Sequence, residues 1–380
     1  MHLLWRENMS AEKVYLIAAL TGRALAQSAS RAQLPVVVLD LYNDVDTRRV
    51  ATRARAVVAL NESFDAKALL KAAKELCPVQ ACAGLIEGSG FEDRPELLRQ
   101  LAHGRRLYGN TPEIVALLKD PARFFPLLDR LGIPHPEVSL QPPRKARGWL
   151  SKKTGGNGGG HVLLAAGTVA DAQHYYQRLE SGRSMSVTFL ANGREAHIIG
   201  FNEQWTVSAG SPFRYAGAVN HAEPPQALRA EIVTKLNLLV AETGLVGLNG
   251  MDFLLSGNHY SVLEVNPRPC ATMDLYDADY AQGLFAWHLL ACEGRLPEPP
   301  QLARKVIRAH AVVYAEQAFS IPANLNFPEW ASDIPQAGSE FAPGAPVCMV
   351  HAEGDSPLQV KRLLQERRML LVRALREEAA

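Results

Sequence analysis

A hairpin with polar side chains on one face is the feature that most constrains how this 380-residue chain can fold. Residues 247–255 read as a strand that contains Asp252, and residues 256–259 (Ser-Gly-Asn-His) are typical of a tight turn. The return strand covers 260–269. Glu264 and Asn266 lie two residues apart on it, so they point to the same face of the sheet.

These polar side chains form a candidate metal site. Asp252 can join Glu264 and Asn266 across the hairpin, and two carboxylates with one amide oxygen suit Mg²⁺ bound mainly through nucleotide phosphates. The alternative is that the pair on the return strand merely lines a solvated face. The Pro267-Arg268-Pro269 sequence that follows favours the metal site, because it fixes an arginine beside the place where a transferring phosphate would need neutralising.

The beginning of the chain predicts a parallel α/β domain. Short apolar strands are expected at 14–19, 35–41 and 57–60, with helices over 24–32 and 64–75. The apolar run 83–86 leads into Glu87-Gly88-Ser89-Gly90, which is either a ligand loop at a strand end or a simple tight turn. Further helices are expected to begin at Thr111-Pro112 and over 122–131, and a last helix over 357–378.

Composition excludes several classes of protein. Hydrophobic residues make up 47% of the chain and charged residues 21%, and the net charge of +1 indicates neither nucleic-acid binding nor an acidic tail. The five cysteines are scattered, and the start of the chain lacks the apolar core of a secretory signal, whether translation begins at Met1 or Met9. We therefore expect a cytoplasmic protein with reduced thiols that binds neither nucleic acid nor membrane.

A glycine-rich stretch supplies a second candidate site. Residues 155–160 (Gly-Gly-Asn-Gly-Gly-Gly) lie between two predicted strands and end in neither a Walker nor a Rossmann pattern. Glycine backbones can close over phosphates without a side-chain clash, although a plain hairpin loop is an equally good interpretation. Lys152 and Lys153 both precede the loop, and either one could reach a phosphate.

Taken together, these motifs resemble the ATP-grasp superfamily. Met251-Asp252-Phe253 followed by Leu263-Glu264-Val265-Asn266-Pro267-Arg268 is similar to the metal-binding hairpin of that superfamily, and the other motifs follow in its order. The resemblance implies an α/β chain with the ATP-grasp fold and a Rossmann-like (pre-ATP-grasp) domain over 1–110. The ATP-grasp domain would cover 111–300, divided into a linker and small subdomain (111–185) and the metal-binding sheet (186–300). A C-terminal extension would follow over 301–380.

The resemblance also implies a nucleotide site. It is expected to hold ATP through Lys119, Lys152, Lys153, Gly156, Gly158, Gly159, Gln177, Arg178, Leu179, Glu180 and Gln204. Residues 176–182 resemble the hinge that binds adenine through its backbone. That hinge usually has a glutamate where this chain has Arg178, which leaves Glu180 as the candidate for the ribose. Arg123 competes with Lys119 for the first nucleotide position.

The implied activity is that of a carbon–nitrogen ligase. Mg²⁺ (or Mn²⁺ as an alternative) on Asp252, Glu264 and Asn266 would support transfer of the ATP γ-phosphoryl group to a carboxylate, and an amine would then displace phosphate. Arg268 and Lys152 are the expected catalytic residues. The expected substrate residues are Arg214, Tyr215, Arg268, Thr272 and Asp274. Arg214 suits the carboxylate of an acid such as glutamate, with capping of a turn as the equal alternative.

A finer resemblance concerns the pathway. Residues 24–46, 87–92, 269–276 and 333–335 are similar to ATP-grasp ligases of one-carbon carrier (methanofuran and tetrahydromethanopterin) biosynthesis, such as tyramine–glutamate ligase. The expected partners are a small-molecule acid and amine, and a homodimer is left open. A kinase on the same fold and a nucleotide-binding regulatory protein with a dead site are the competing functions.

Overall fold

The computed structural model describes residues 13–60, 63–166, 171, 173–207, 212–298, 300 and 305–377. Over these ranges the chain forms a parallel sheet at its beginning, a small antiparallel sheet, and a large antiparallel sheet that extends to the C-terminal part. The predicted α/β class is confirmed by this arrangement.

The first sheet is parallel throughout and has the strand order β3-β2-β1-β6. The strands of this region are β1 (Val14–Ala18), β2 (Val36–Asp40), β3 (Arg53–Ala56), the two-residue β4 (Ala59–Leu60) and β5 (Ser63–Phe64), and β6 (Cys82–Glu87). Its helices are α1 (Arg23–Arg31), α2 (Val45–Val50), α3 (Ala66–Leu76) and α4 (Pro95–Ala102). Since β1 lies between β2 and β6, the connections on its two sides run in opposite directions along the sheet. The carboxyl ends of β1 and its neighbours then form a crevice of the kind that binds ligands in such sheets.

The third strand differs from the sequence expectation. The apolar run 57–60 does not form it; β3 covers Arg53–Ala56 instead and alternates arginine with alanine. This strand lies at the edge of the sheet, where its side chains are partly or fully exposed, so it does not need the apolar run that marks a buried parallel strand.

Two short helices lead from the first sheet to a small one. They are α5 (Pro112–Lys119) and α6 (Pro121–Leu131), each with a proline at its first position. Gly132 ends α6 with φ +62°, the left-handed conformation that favours glycine. The small antiparallel sheet has the order β7-β10-β8-β9, formed by β7 (Val138–Ser139), β8 (Trp149–Lys153), β9 (Val162–Leu164) and β10 (His174–Arg178).

The large sheet contains strands from both the predicted ATP-grasp domain and the predicted extension, in the order β15-β14-β11-β12-β13-β16-β20-β18. These strands are β11 (Arg183–Asn192), β12 (Ala196–Thr206), β13 (Tyr215–Val219), β14 (Val246–Ser256), β15 (His259–Asn266), β16 (Ile307–Tyr314), β18 (Ala331–Ser332) and β20 (Pro346–Gly354). A separate pair is made by β17 (Phe319–Ser320) and β19 (Glu340–Phe341). Because β13 pairs with β16, the extension continues the sheet.

Three helices pack on this sheet: α7 (Gln226–Thr243), α8 (Gly283–Cys292) and α9 (Pro357–Glu377). Helix α7 buries Leu228, Ile232, Leu236 and Leu239, which recur every three or four residues and so lie along one face. Among the described residues, no helix is both long enough and apolar enough to cross a bilayer.

A buried asparagine is one of the residues that join the first domain to the large sheet. Asn110 Nδ2 donates to Asn249 Oδ1 (2.8 Å), to the carbonyl of Pro267 (2.9 Å) and to that of Val246 (3.2 Å). Asn110 Oδ1 accepts from the Val246 N–H over 2.9 Å, and the Asn110 N–H donates to Glu87 Oε1 over 3.0 Å. The side chain therefore fixes the beginning of β14 and the end of the metal hairpin against β6.

We expect Asn110→Ala to lower the free energy of unfolding by about 2–4 kcal/mol, because it leaves several buried polar groups without partners. Urea unfolding followed by circular dichroism would measure this. Asn258→Ala, in the exposed turn of the hairpin, is the matched control and should change stability by less than about 0.5 kcal/mol. Equal stabilities of the two variants would contradict the joining role.

Candidate active site

The hairpin brings the predicted metal ligands together. In the register of β14 against β15, Asp252 faces Glu264 and Gly250 faces Asn266. Asn266 Nδ2 donates to Asp252 Oδ2 over 3.0 Å, and Gln204 Nε2 on β12 donates to Asp252 Oδ1 over 3.2 Å. The predicted ligands and the predicted glutamine thus form one polar cluster on the large sheet.

Lys119 is the cation of this cluster. It is the last residue of α5, and its side chain is 5% exposed. Its ammonium donates to Glu264 Oε2 over 3.0 Å and to Asn266 Oδ1 over 2.8 Å. Arg123, the alternative residue for the first nucleotide position, is exposed on α6. The geometry therefore favours Lys119 for that position.

The facing carboxylates of Asp252 and Glu264 differ in their pKa. Burial, and then the negative charge of Glu264, raise the pKa of Asp252. Burial also opposes ionisation of Glu264, but the charges of Lys119 and then Lys152 lower the pKa of its carboxyl. A divalent cation between the two carboxylates would favour the ionised form of both.

This donor set fits Mg²⁺ held jointly with a nucleotide. Among the described residues, no group of three or more His, Cys, Asp and Glu side chains is arranged to hold a metal ion. The cluster instead offers two carboxylates and one amide oxygen. Mg²⁺ in nucleotide sites is commonly held by one or two carboxylates together with substrate phosphates.

Lys152 and Gln177 meet on the small sheet. Lys152 Nζ donates to Gln177 Oε1 over 2.8 Å, whereas Lys153 is exposed on the other face of β8. Burial lowers the pKa of Lys152. One buried atom of this pair, Gln177 Nε2, has no hydrogen-bond partner in the described part of the chain. Because buried polar atoms are nearly always paired, it suits a bound molecule.

A cavity of about 60 Å³ lies between the lysines and the glycine loop. Pockets for small ligands commonly enclose about 300–1,000 Å³, so the cavity in this position of the loop is smaller than a typical ligand pocket. The lining combines the predicted phosphate-binding residues with aromatic and apolar ones that the sequence analysis missed. They include Lys119, Lys152, Lys153, Gly155, Gly156, Gly159, Glu264, Phe124, Phe125, His161, Tyr175 and Leu263.

The hinge differs from the expectation of backbone contacts to adenine. The Arg178 N–H donates to the Glu137 carbonyl over 2.8 Å, and the Leu179 N–H donates to the Gly148 carbonyl over 2.9 Å. Both N–H groups are therefore engaged within the protein, which leaves the hinge carbonyls and the exposed Glu180 for a base or ribose. The Arg178 guanidinium lies 5.6 Å from the centroid of a Trp149 ring.

Arg268 is held by the first domain. Its Nε donates to Glu92 Oε1 over 2.7 Å, and this ion pair is largely buried. Glu92 Oε2 accepts the N–H groups of Gly90 and Phe91, so the glycine-containing turn after β6 orients the carboxylate. The turn predicted as a possible ligand loop therefore positions Arg268. Nothing in the sequence pairs Glu92 with Arg268, although Glu92 lies in a segment that the sequence analysis singled out.

The predicted substrate residues do not form one group, because they contact different parts of the protein. Thr272 is buried and its hydroxyl bonds the Thr188 hydroxyl over 2.8 Å, so it is engaged inside the protein. Asp274 forms a 2.6 Å ion pair with Arg23 of the first domain. Arg23 is a site residue that sequence reasoning missed, and its position just after the turn that follows β1 is the signal that could have found it.

Arg214 and Tyr215 contact the C-terminal part of the chain. Arg214 Nη1 donates to the Gly344 carbonyl over 2.6 Å, which matches the alternative in which this arginine holds a turn. The Tyr215 hydroxyl lies 2.6 Å from His310 Nε2. No signal in the sequence indicated His310, because it approaches Tyr215 only through the pairing of β13 with β16.

Comparison with known proteins agrees with this geometry. Residues 119–272 match the model of the ATP-grasp domain family. Over 219 residues the chain is 25% identical to the carbamoyl phosphate synthase large chain of Rubrobacter xylanophilus, a match that covers 50% of this chain and 20% of that protein. The chain therefore spans about a fifth of the length of this curated relative.

Solved structures show the same fold. The biotin carboxylase domain of 2-oxoglutarate carboxylase from Hydrogenobacter thermophilus, in complex with MgADP, ADP and bicarbonate, superposes with a TM-score of 0.68 at 12% identity, over 89% of this chain and 86% of that one. The L-amino acid ligase of Bacillus licheniformis superposes with a TM-score of 0.68 at 13% identity, over 93% and 96%.

The chain therefore has the ATP-grasp fold, and the predicted fold class is confirmed. Residues 119–272, which match the ATP-grasp domain family, include Lys119, the glycine loop and the whole metal hairpin.

Glu264→Gln should reduce turnover at least about 100-fold while the fold remains intact, because the neutral amide cannot balance the Mg–nucleotide charge. The measurement is ATP turnover as a function of Mg²⁺ concentration, with circular dichroism as the check on folding. Glu231→Gln, an exposed change on α7, is the matched control and should leave both unchanged. Near-normal turnover with an unaltered Mg²⁺ dependence would remove Glu264 from the metal site.

Proposed function

We propose that this chain is an ATP-dependent ligase that activates a carboxylate as an acyl phosphate and joins it to an amine. The observation that carries the proposal is the convergence of Lys119, Asp252, Glu264 and Asn266 at one end of the cavity beneath the glycine loop. This arrangement concentrates positive charge and metal-ligand oxygens where a terminal phosphoryl group would transfer. The superfamily of the fold and the ligase among the similar structures support it.

The reaction proceeds in two balanced steps. A carboxylate oxygen of the acid bonds to the γ-phosphorus of ATP while the bond from that phosphorus to the bridging β,γ-oxygen breaks, which yields an acyl phosphate and ADP. The neutral amine then bonds to the acyl carbon, the carbon–oxygen bond to phosphate breaks, and the amine proton passes to solvent. Neither step requires a nucleophile from the protein.

The residues of this chain have distinct tasks in the proposal. Lys119 and Lys152 neutralise phosphate oxygens from either side of the cavity, and the glycine loop closes over them. Mg²⁺ on Asp252, Glu264 and Asn266 would supply further neutralisation of the transferring group when bound. Arg268, oriented by Glu92, stabilises the charge that develops on the transferring phosphoryl group and on the acid.

The acid is proposed to lie between the metal hairpin and the strand ends of the first domain. Arg268 and its partner Glu92 meet there, and the turn after β6 reaches the same place. Glutamate is a proposed acid. Arg268 is the better candidate for its carboxylate, because it lies at the metal hairpin beside Glu92, whereas Arg214 contacts the C-terminal part of the chain.

A role in one-carbon carrier biosynthesis is the finer proposal. It rests on the sequence resemblance of residues 24–46, 87–92, 269–276 and 333–335 to those ligases. Arg23, which directly precedes the first of these segments, pairs with Asp274 and Asp333 of the last two. The experiment that tests it is ADP release screened against amino acids, with and without tyramine-like and pterin-like amines. The proposed domain boundaries remain 1–110, 111–300 and 301–380.

The nucleotide product should be ADP with phosphate, because the metal hairpin and Arg268 surround a terminal phosphoryl group. Chromatography of the nucleotide after turnover measures this. AMP and pyrophosphate as products would overturn the mechanism. ADP together with a stable phosphorylated acid that no amine consumes would favour the kinase alternative.

Hydroxylamine added to enzyme, Mg-ATP and the right acid should trap a hydroxamate when the amine is absent. Arg268→Ala should reduce trapping about 100-fold or more and weaken ATP binding far less, since its task lies mainly in the transition state. Arg295→Ala, an exposed arginine after α8, is the matched control. Equal losses of trapping and ATP affinity in Arg268→Ala would assign this arginine to nucleotide binding instead.

A further inference from the structure

The tip of the glycine loop lies directly on the segment 213–215. The Tyr215 N–H donates to the Gly158 carbonyl over 3.0 Å. A Cβ atom placed on Gly159 would lie 1.9 Å from the Phe213 carbonyl oxygen, so the two backbones are in close contact. Gly159 also has φ +74°, a conformation that other residues rarely adopt. The position of the loop tip is therefore tied to that of segment 213–215.

The C-terminal extension holds this segment through side chains. The Tyr215 hydroxyl lies 2.6 Å from His310 Nε2, and the Tyr314 hydroxyl donates to the Tyr215 carbonyl over 2.7 Å. Arg214 donates to the Gly344 carbonyl, and its guanidinium lies 5.4 Å from the centroid of the Tyr314 ring. All of these partners lie beyond residue 300, in β16 and in the turn before β20.

The histidine in this arrangement is itself firmly placed. His310 is 0% exposed, and burial, then the neighbouring His351, lower its pKa to about 3. The ring is therefore neutral at physiological pH, and its hydrogen bond with the Tyr215 hydroxyl joins two uncharged groups. The extension is in turn anchored to the first domain, since Asp333 forms a 2.9 Å ion pair with the buried Arg23.

We propose that the C-terminal extension is a clamp for the glycine loop, in which His310 and Tyr314 are positioning residues that hold segment 213–215 and thereby the closed loop. Fixing so many glycines costs much conformational entropy, and a segment held from outside lowers the cost of closing over a nucleotide. The benefit of this clamp for nucleotide binding rests on the proposed function. The contacts that form the clamp are present in the protein without a ligand.

The experiment compares His310→Phe and the milder Tyr314→Phe with Tyr260→Phe. Tyr260 is a matched control, because its hydroxyl is also buried but has no hydrogen-bond partner among the described residues. Amide hydrogen exchange is measured at Gly156, Val162 and Tyr215 in the free protein. Affinity for a non-hydrolysable ATP analogue with Mg²⁺ and the thermal midpoint are measured on the same samples.

Both clamp variants should exchange about tenfold faster at these amides and bind the analogue up to about tenfold more weakly, the effect expected for one lost hydrogen bond. In Tyr314→Phe the thermal midpoint should stay near that of Tyr260→Phe. Unchanged loop exchange in Tyr314→Phe, or faster exchange spread over the whole molecule with a lowered midpoint, would overturn the clamp and leave a purely structural role.

The outcomes also separate the clamp from the proposed function. Loop exchange is read in the absence of substrates, so it can respond as expected in a protein that couples no acid to an amine. That result would retain the clamp and reject the ligase. Conversely, the protein could show ligase activity while neither substitution changes the rate of amide hydrogen exchange in the loop. That result would retain the ligase and reject the clamp.

Discussion

Two carboxylates that face each other across a hairpin need a positive charge between them. Asp252 and Glu264 are paired in register, and the burial of this region makes their repulsion costly. In the free protein Lys119 reduces that cost from the end of α5, where it contacts both Glu264 and Asn266. The lysine thus fixes the helix end against the hairpin, and a metal cation bound between the carboxylates would take over part of its task.

The first domain is joined to this cluster by buried polar contacts. Glu92 orients Arg268, and Asn110 holds the carbonyl of the adjacent Pro267 together with the beginning of β14. These contacts come from the end of β6 and from the chain just beyond it. The strand ends of the parallel sheet therefore face the metal hairpin, which is where the proposed acid would meet a terminal phosphate. A small shift of the first domain would move Arg268 as well.

The C-terminal part extends the same sheet. Pairing of β16 with β13 carries His310 and Tyr314 to the segment that touches the glycine loop. The loop is thus surrounded by contacts from distant regions, with Phe213 on one side and the backbone of Asp93 beside Gly155 on the other. The small cavity beneath it follows from this closure. The glycines allow both close approaches, because a side chain at these positions would collide with backbone atoms.

Local pattern determined much of this protein by itself. The alternation around Glu264 and Asn266 set their common face, the turn residues closed the hairpin, and proline and glycine marked the limits of α5 and α6. Lys119 and Lys152 were candidates from the chain order, which gives their positions relative to the motifs, with Arg123 and Lys153 as the alternatives. Helix α7 could also have been predicted, since Leu228, Ile232 and Leu236 follow a helical period that the sequence analysis passed over.

Only the tertiary structure decided which side chains meet across long separations. Glu92 and Arg268 are 176 residues apart, and Tyr215 and His310 are 95 apart, so no local period relates them. The burial of Lys152 beside Gln177 and the exposure of Lys153 depended on how the small sheet packs, and β3 carried no apolar signal because it is an edge strand. Local sequence sets backbone preference and the alternation of faces. Pairing of distant groups is set by how sheets and helices pack. Packing excludes water, and a charge buried in this way is costly unless a group of opposite charge lies beside it.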